Sequence, residues 1–187
     1  MVLLRIVAVL EPGTYTLGPD DGTLSVRTAR TGAASKAGHD LLLHVTDWTA
    51  TLEVGDDGTP TAIALDADGG SLRVREGTGG MMELGDDDIA SIHTSIDDDV
   101  LRKQDIAFRS TRVTPAGDGG LHVEGDLTLV GRSHPLSFDV AVAEDGRIRG
   151  SATVKQSTWG IKQFSILFGA LKVADDVEVA IDAAQSR

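Results

Sequence analysis

Five histidines, two aspartate triplets and a complete lack of cysteine bound the chemistry open to this chain of 187 residues. His93 and Asp97 stand four residues apart, the spacing that puts two side chains on one helix face. Two ligands do not make a zinc site, and spacing indicates no third. An i,i+4 hydrogen bond on a helix surface uses the same pair. His39-Asp40 follows a Gly- and Ala-rich stretch. It reads either as a headgroup contact at the mouth of a binding site or as a turn cap by Asp40 beside a surface imidazole. Asp86 to Asp88 and Asp97 to Asp99 lack the D-x-D-x-D-G loop and closing Glu of an EF-hand. The first triplet suits a helix N-terminus and the second a solvated helix face. Without cysteine there is no disulfide, thiolate zinc site or thiol nucleophile, and no G-x-S-x-G occurs. The residues therefore predict no catalytic group, no metal and no cofactor. An enzyme with His39 or His93 as base, acting on a lipid or small cyclic substrate, is the rival expectation.

The elements that position these residues are mostly strands. Leu121 to Val142 reads as a hairpin: Leu121, Val123, Leu127 and Leu129, then Leu136, Phe138, Val140 and Val142, recur with period two. His122, Glu124, Asp126, Thr128, Ser137 and Asp139 take the other face, so one side meets a core and the other water. The reversal is placed at Gly131-Arg132-Ser133. A hairpin cannot bury its own apolar face, so the rest of the chain must close over it. Further strands are predicted at Thr14 to Leu17, Leu24 to about Arg30, Val45 to Val54, Ala62 to Asp66, Ser71 to Arg75, Ile106 to Val113, Arg147 to Gln156 and Lys172 to Ala183. Trp48, Ala50, Leu52 and Val54 share a face, as do Ile148, Ala152 and Val154. Asp86 to Lys103 breaks the rhythm. Ile89, Ile92, Ile96 and Val100 form the stripe of one amphipathic helix, with acids at its start and Arg102 and Lys103 at its end. About ten short strands at regular spacing predict an all-β barrel or sandwich in a single domain, 1–187.

Composition narrows the partners. Seventeen basic and 29 acidic residues leave a net charge of −12, which opposes binding to nucleic acid or to an anionic membrane surface. The apolar run Val2 to Leu10 is broken by Arg5 and lacks an A-x-A-like cleavage site. No run approaches the ~18 apolar residues of a membrane span. A cytoplasmic location is expected, with periplasmic or secreted as the alternative.

Several blocks, in order, carry a family resemblance. Ser35-Lys36-Ala37-Gly38-His39-Asp40, Val100-Leu101 leading to Phe108-Arg109-Ser110, Gly125-Asp126-Leu127-Thr128-Leu129-Val130-Gly131, and Gly169-Ala170-Leu171-Lys172-Val173 resemble the YceI-like family from about Tyr15 onward. The resemblance implies an extended lipocalin-like antiparallel β-barrel of about eight strands with a helix packed beside it. It also implies binding of polyisoprenoid chains or related amphiphiles inside the barrel.

An eight-stranded barrel is just wide enough to be filled by side chains or to hold one ligand. With aromatics at 4%, filling the interior from Val, Ala and Gly walls is difficult, so a cavity is expected. Its wall is predicted to include Trp48, Leu52, Phe108, Leu127, Leu129, Leu136, Phe138, Val140 and Val179. Phe164 and Phe168 would join it as a lid hinged at Gly160 and Gly169, and His39 would meet a headgroup. The expected partner is a polyisoprenoid, isoprenoid quinone or fatty acid, bound without catalysis. Alternatively, Phe164 to Gly169 is a loop packed on the outside of the barrel or a self-association surface, the helix and Phe164 to Leu171 plug the interior, or an exposed apolar segment pairs two ligand-free barrels as a homodimer.

Overall fold

A computed structural model describes residues 10–117, 119–143 and 147–184. Most of Val2 to Leu10 lies outside the described residues. Among the described residues eleven strands form one antiparallel sheet: β1 (Gly13–Leu17), β2 (Gly22–Thr28), β4 (His39–Val45), β5 (Trp48–Val54), β6 (Pro60–Ala67), β7 (Leu72–Gly79), β8 (Ile106–Pro115), β9 (Leu121–Leu129), β10 (Arg132–Val142), β11 (Arg147–Lys155) and β14 (Asp176–Ala184). A small separate sheet joins β3 (Arg30–Thr31), β12 (Ser165–Ile166) and β13 (Leu171–Val173).

The eleven strands reduce to eight, because three are long strands with a kink. β1 pairs with β5 and β2 with β4, so residues 13–28 run antiparallel to 39–54 as one bent pair. β5 likewise pairs with β6 and β4 with β7. From β6 the ladder passes through β8, β9, β10, β11 and β14, and β14 pairs with β2. The sheet thus returns to its starting strand. The expected lipocalin-like barrel of about eight strands is what these pairings build.

The kinks have local causes. Asp21 accepts the Gly18 N–H at 2.9 Å and returns its own N–H to the Gly18 carbonyl, fixing the tight corner between β1 and β2. At the second corner Ser71 is buried. Its hydroxyl donates to the Asp68 carbonyl at 2.8 Å and accepts the Asp47 N–H at 3.2 Å, while its own carbonyl takes the Thr46 N–H and hydroxyl. One side chain therefore satisfies backbone groups of both bent strands where the ladder breaks.

Several sequence expectations are corrected. The strand placed at Val45 to Val54 kinks at Thr46-Asp47: Val45 ends β4 and Trp48 begins β5. The strand placed at Lys172 to Ala183 is two strands, in different sheets. The hairpin turn is Val130-Gly131, with Arg132 and Ser133 already paired to Leu129 and Thr128. Both turn residues have positive φ, 44° and 72°. This geometry matches strand twist in a two-residue hairpin, although it strains a β-branched residue such as Val130.

The helix is shorter than predicted. α1 (Asp86–Ser95) passes into a π-helical turn, Ile96–Val100, in which the Leu101 N–H bonds the Ile96 carbonyl. Arg102 and Lys103 leave it with positive φ. The N-terminus is held as expected by an acid, Asp88, whose carboxylate accepts the Gly85 N–H at 3.0 Å.

Candidate functional site

The strands' inward face encloses a cavity of about 270 Å³. Period-two alternation puts its wall there: on β9 every odd residue from Leu121 to Leu129 is buried, and Leu121, Leu127 and Leu129 face the cavity. Of the predicted wall, Leu52, Phe108, Leu127, Leu129, Leu136, Phe138, Val140 and Val179 line the cavity. Phe108 and Phe138 pack against each other there, ring centroids 5.2 Å apart.

Among the described residues no ionisable side chain lines it. The polar lining is limited to Thr28, Thr51, Ser151 and Gln156, and Gln156 is tied by its amide to the Ala174 carbonyl at 3.0 Å. The interior is thus a low-dielectric space with almost no hydrogen-bonding capacity, suited to hydrocarbon and hostile to charge.

One end is closed by parts outside the sheet. Ile96, Val100 and Leu101 enter from the helix, where the π-helical turn brings Leu101 alongside Ile96. Ile161 enters from the segment after β11, which is anchored by Trp159. That indole is buried, donates Nε1–H to the Leu127 carbonyl at 2.8 Å and meets His134 edge-on. The helix stripe was a usable sequence signal for Ile96 and Val100. Ile161 lies in an aperiodic stretch that gave none.

Four predicted site residues lie elsewhere. Trp48 shares the inward face of β5 with Ala50 and Leu52, but it is packed in the core at the strand kink opposite Ala67, off the cavity wall. Phe164 is half-buried beside the small sheet, its carbonyl accepting the Val173 N–H. Phe168 is fully exposed. Leu167 and Phe168 both have φ of 53°, a left-handed pair that turns their side chains away from the barrel. Such conformations cost of order 1–3 kcal/mol each in non-glycine residues. His39 is also outside: its Nε2 bonds the Met82 carbonyl at 2.7 Å and so holds the loop after β7 against β4.

His93, His122 and Asp139 are engaged by the scaffold. His93 does not bond Asp97. Its Nε2 accepts the Val74 N–H at 3.0 Å, so α1 satisfies a donor on the outer edge of β7. His122 and Asp139 pair across β9 and β10 at 2.6 Å on the outer face. Among the described residues no three metal-ligating side chains converge.

With this barrel and its apolar interior in view, the comparison with known sequences is decisive on kinship. The YceI-like domain matches residues 15–184. This chain belongs to the YceI-like family. Among solved structures it is similar to Burkholderia cenocepacia BcnA, with a TM-score of 0.65 and 16% identity over 88% of this chain and 96% of that one. It is also similar to the Campylobacter jejuni YceI protein, with a TM-score of 0.52 and 16% identity over 78% of this chain and 85% of that one. At such identities the likeness is one of fold. No curated protein sequence matches the chain. The YceI-like match begins in β1 and ends in β14, so it spans the whole barrel, both closing strands included.

Proposed function

We propose that this YceI-like barrel is a non-catalytic binding module that takes the tail of a long-chain amphiphile, a polyisoprenoid, an isoprenoid quinone or a fatty acid, into its interior. The observation that carries this is the cavity of about 270 Å³ that, among the described residues, has no ionisable lining. Left unfilled, a cavity of that volume would cost on the order of 6 kcal/mol by the cavity relation for buried leucines. That is comparable with the whole stability of many domains. Burying about ten methylenes would gain roughly 8 kcal/mol before the entropy of binding is counted. The volume lies near the lower end of ligand pockets, about 300–1,000 Å³, and favours one slender chain over a bulky ring system.

The family resemblance favours a polyisoprenoid among these ligands. An enzyme with His39 or His93 as base has less support, since both imidazoles bond backbone groups outside the cavity.

The test is to extract the purified protein with organic solvent and to weigh it intact by native mass spectrometry. A retained lipid mass and displacement of a fluorescent fatty acid by prenyl alcohols are expected. A protein that carries no lipid and displaces no probe would end the proposal.

A further inference from the structure

Among the described residues the exposed large apolar ones are Met81, Met82, Ile166, Leu167 and Phe168. They come from two distant segments that the fold brings to one end of the barrel. β13 pairs with β3, Ala34 donates its N–H to the Ala170 carbonyl, and Leu171 packs into the space that Gly38 leaves by having no side chain. Next in sequence, His39 bonds Met82. The small sheet and the loop after β7 are therefore neighbours.

Charge is segregated to the same place. Within a chain of net charge −12, residues 30–39 and 156–173 contain Arg30, Lys36, Lys162 and Lys172 but no Asp or Glu. Arg30 is partnered by Asp40, whereas Lys36, Lys162 and Lys172 make no ion pair among the described residues. Lys172 Cε lies beside Gly169, next to the outward ring of Phe168. The nearest acid on the Met loop is Glu83. These two segments are also continuous with the cavity, since Thr28 lines it just before the first and Gln156 and Ile161 line it within the second.

We propose that this end of the barrel docks on an anionic lipid bilayer, with Ile166, Leu167 and Phe168 entering the interface and Lys36, Lys162 and Lys172 facing the headgroups. Apolar tips flanked by unpaired lysines are the elements of interfacial attachment. The total charge predicts repulsion from such a surface, but the field a membrane meets within a Debye length, about 10 Å at 0.1 M salt, is that of the end that approaches it. The proposal does not depend on what the cavity holds.

The test is sedimentation of the full chain with vesicles of phosphatidylglycerol in phosphatidylcholine, compared with phosphatidylcholine alone. Binding to the anionic vesicles is expected to be roughly tenfold or more stronger, and to fall as salt is raised. Leu167→Ser with Phe168→Ser, and separately Lys162→Glu with Lys172→Glu, should each remove that preference. Lys162, Leu167 and Phe168 are exposed, Lys172 is half-buried and none belongs to the core, so an unchanged thermal melt would verify that folding is intact. Equal sedimentation with both vesicle types, or binding indifferent to both double variants, would overturn the proposal. A wild-type dimer in light scattering that the serine variant disperses, without vesicle binding, would overturn it too and assign the patch to a second copy.

Discussion

The rings of Phe108 and Phe138 meet at 5.2 Å with planes tilted by 57°, across a strand that carries no side chain at Gly125. A methyl on Gly125 would lie 2.5 Å from Phe108 Cζ and 2.4 Å from the Arg109 carbonyl. The glycine that opens the G-x-L-T-L-x-G block therefore makes room for an aromatic wall and for the bulge between Ser110 and Arg112. Gly125→Ala should destabilise the protein by about 1–3 kcal/mol, as overpacking does. Urea denaturation with an unchanged midpoint would refute this account of the motif.

Ala152 faces the cavity from β11 opposite Val179. Ala152→Phe would occupy part of the roughly 270 Å³ with its own ring. The expected outcome is a folded protein, as stable as wild type or more so, that retains clearly less lipid in solvent extraction. Full lipid retention by a folded variant would mean that the ligand sits elsewhere.

Much of this wall was legible in the sequence because a strand with one wet face writes its burial as alternation. Leu127, Leu136 and Phe138 could be placed from period two alone. The helix stripe likewise placed Ile96 and Val100. The kink at Thr46-Asp47 left a mark that the reading of one strand over Val45 to Val54 passed over: the inward positions go from Leu43 and Val45 to Trp48, Ala50 and Leu52, so two adjacent polar residues shift the alternation by one where the pairing partner changes. Phe168 was misplaced because its apolar character suggested burial, whereas its left-handed backbone and the separate small sheet turn it outward. His39 and His93 looked like site residues by type, yet both serve backbone groups, which no spacing rule reveals.

Ser71 bonds backbone groups from both kinked strands at a buried corner. Removing its hydroxyl leaves the Asp47 N–H without that acceptor, at a cost of about 1–3 kcal/mol. Ser71→Ala should lower the melting temperature by several degrees, and Ser71→Thr should restore part of it if the new methyl is accommodated. A Ser71→Ala protein that melts like wild type would show that another acceptor takes over.

The half-buried His44 has its pKa held below the ordinary value of about 6.5, first by burial and then by the Arg75 charge. The native state thus binds fewer protons than the unfolded chain, and stability should decline as pH falls below about 6.5 toward the lowered value. His44→Gln should flatten that part of the profile. Asp182, held low by hydrogen bonds from Arg147 and then Arg149, and Asp175, held low by Ser157, act in a separate window. Their contribution is present above the usual carboxylate range and lost as pH falls through their depressed values. A His44→Gln curve that overlays wild type between neutral pH and about 5 would dismiss the His44 assignment.

The ring of strands is completed by residues very far apart: Ser25 on β2 reaches the Ala180 carbonyl on β14, 155 positions away. Contacts of such separation are formed late and slowly, on the order of milliseconds to seconds for β-rich folds. Val177, Val179 and Ile181 of that same strand are also part of the cavity wall. During synthesis the greasy interior therefore stands open to water until β14 has left the ribosome, and only then is the cavity enclosed. A chain stalled before Asp176 would present an unzipped, sticky half-shell to chaperones and proteases, so the same strand governs both closure of the cavity and quality control.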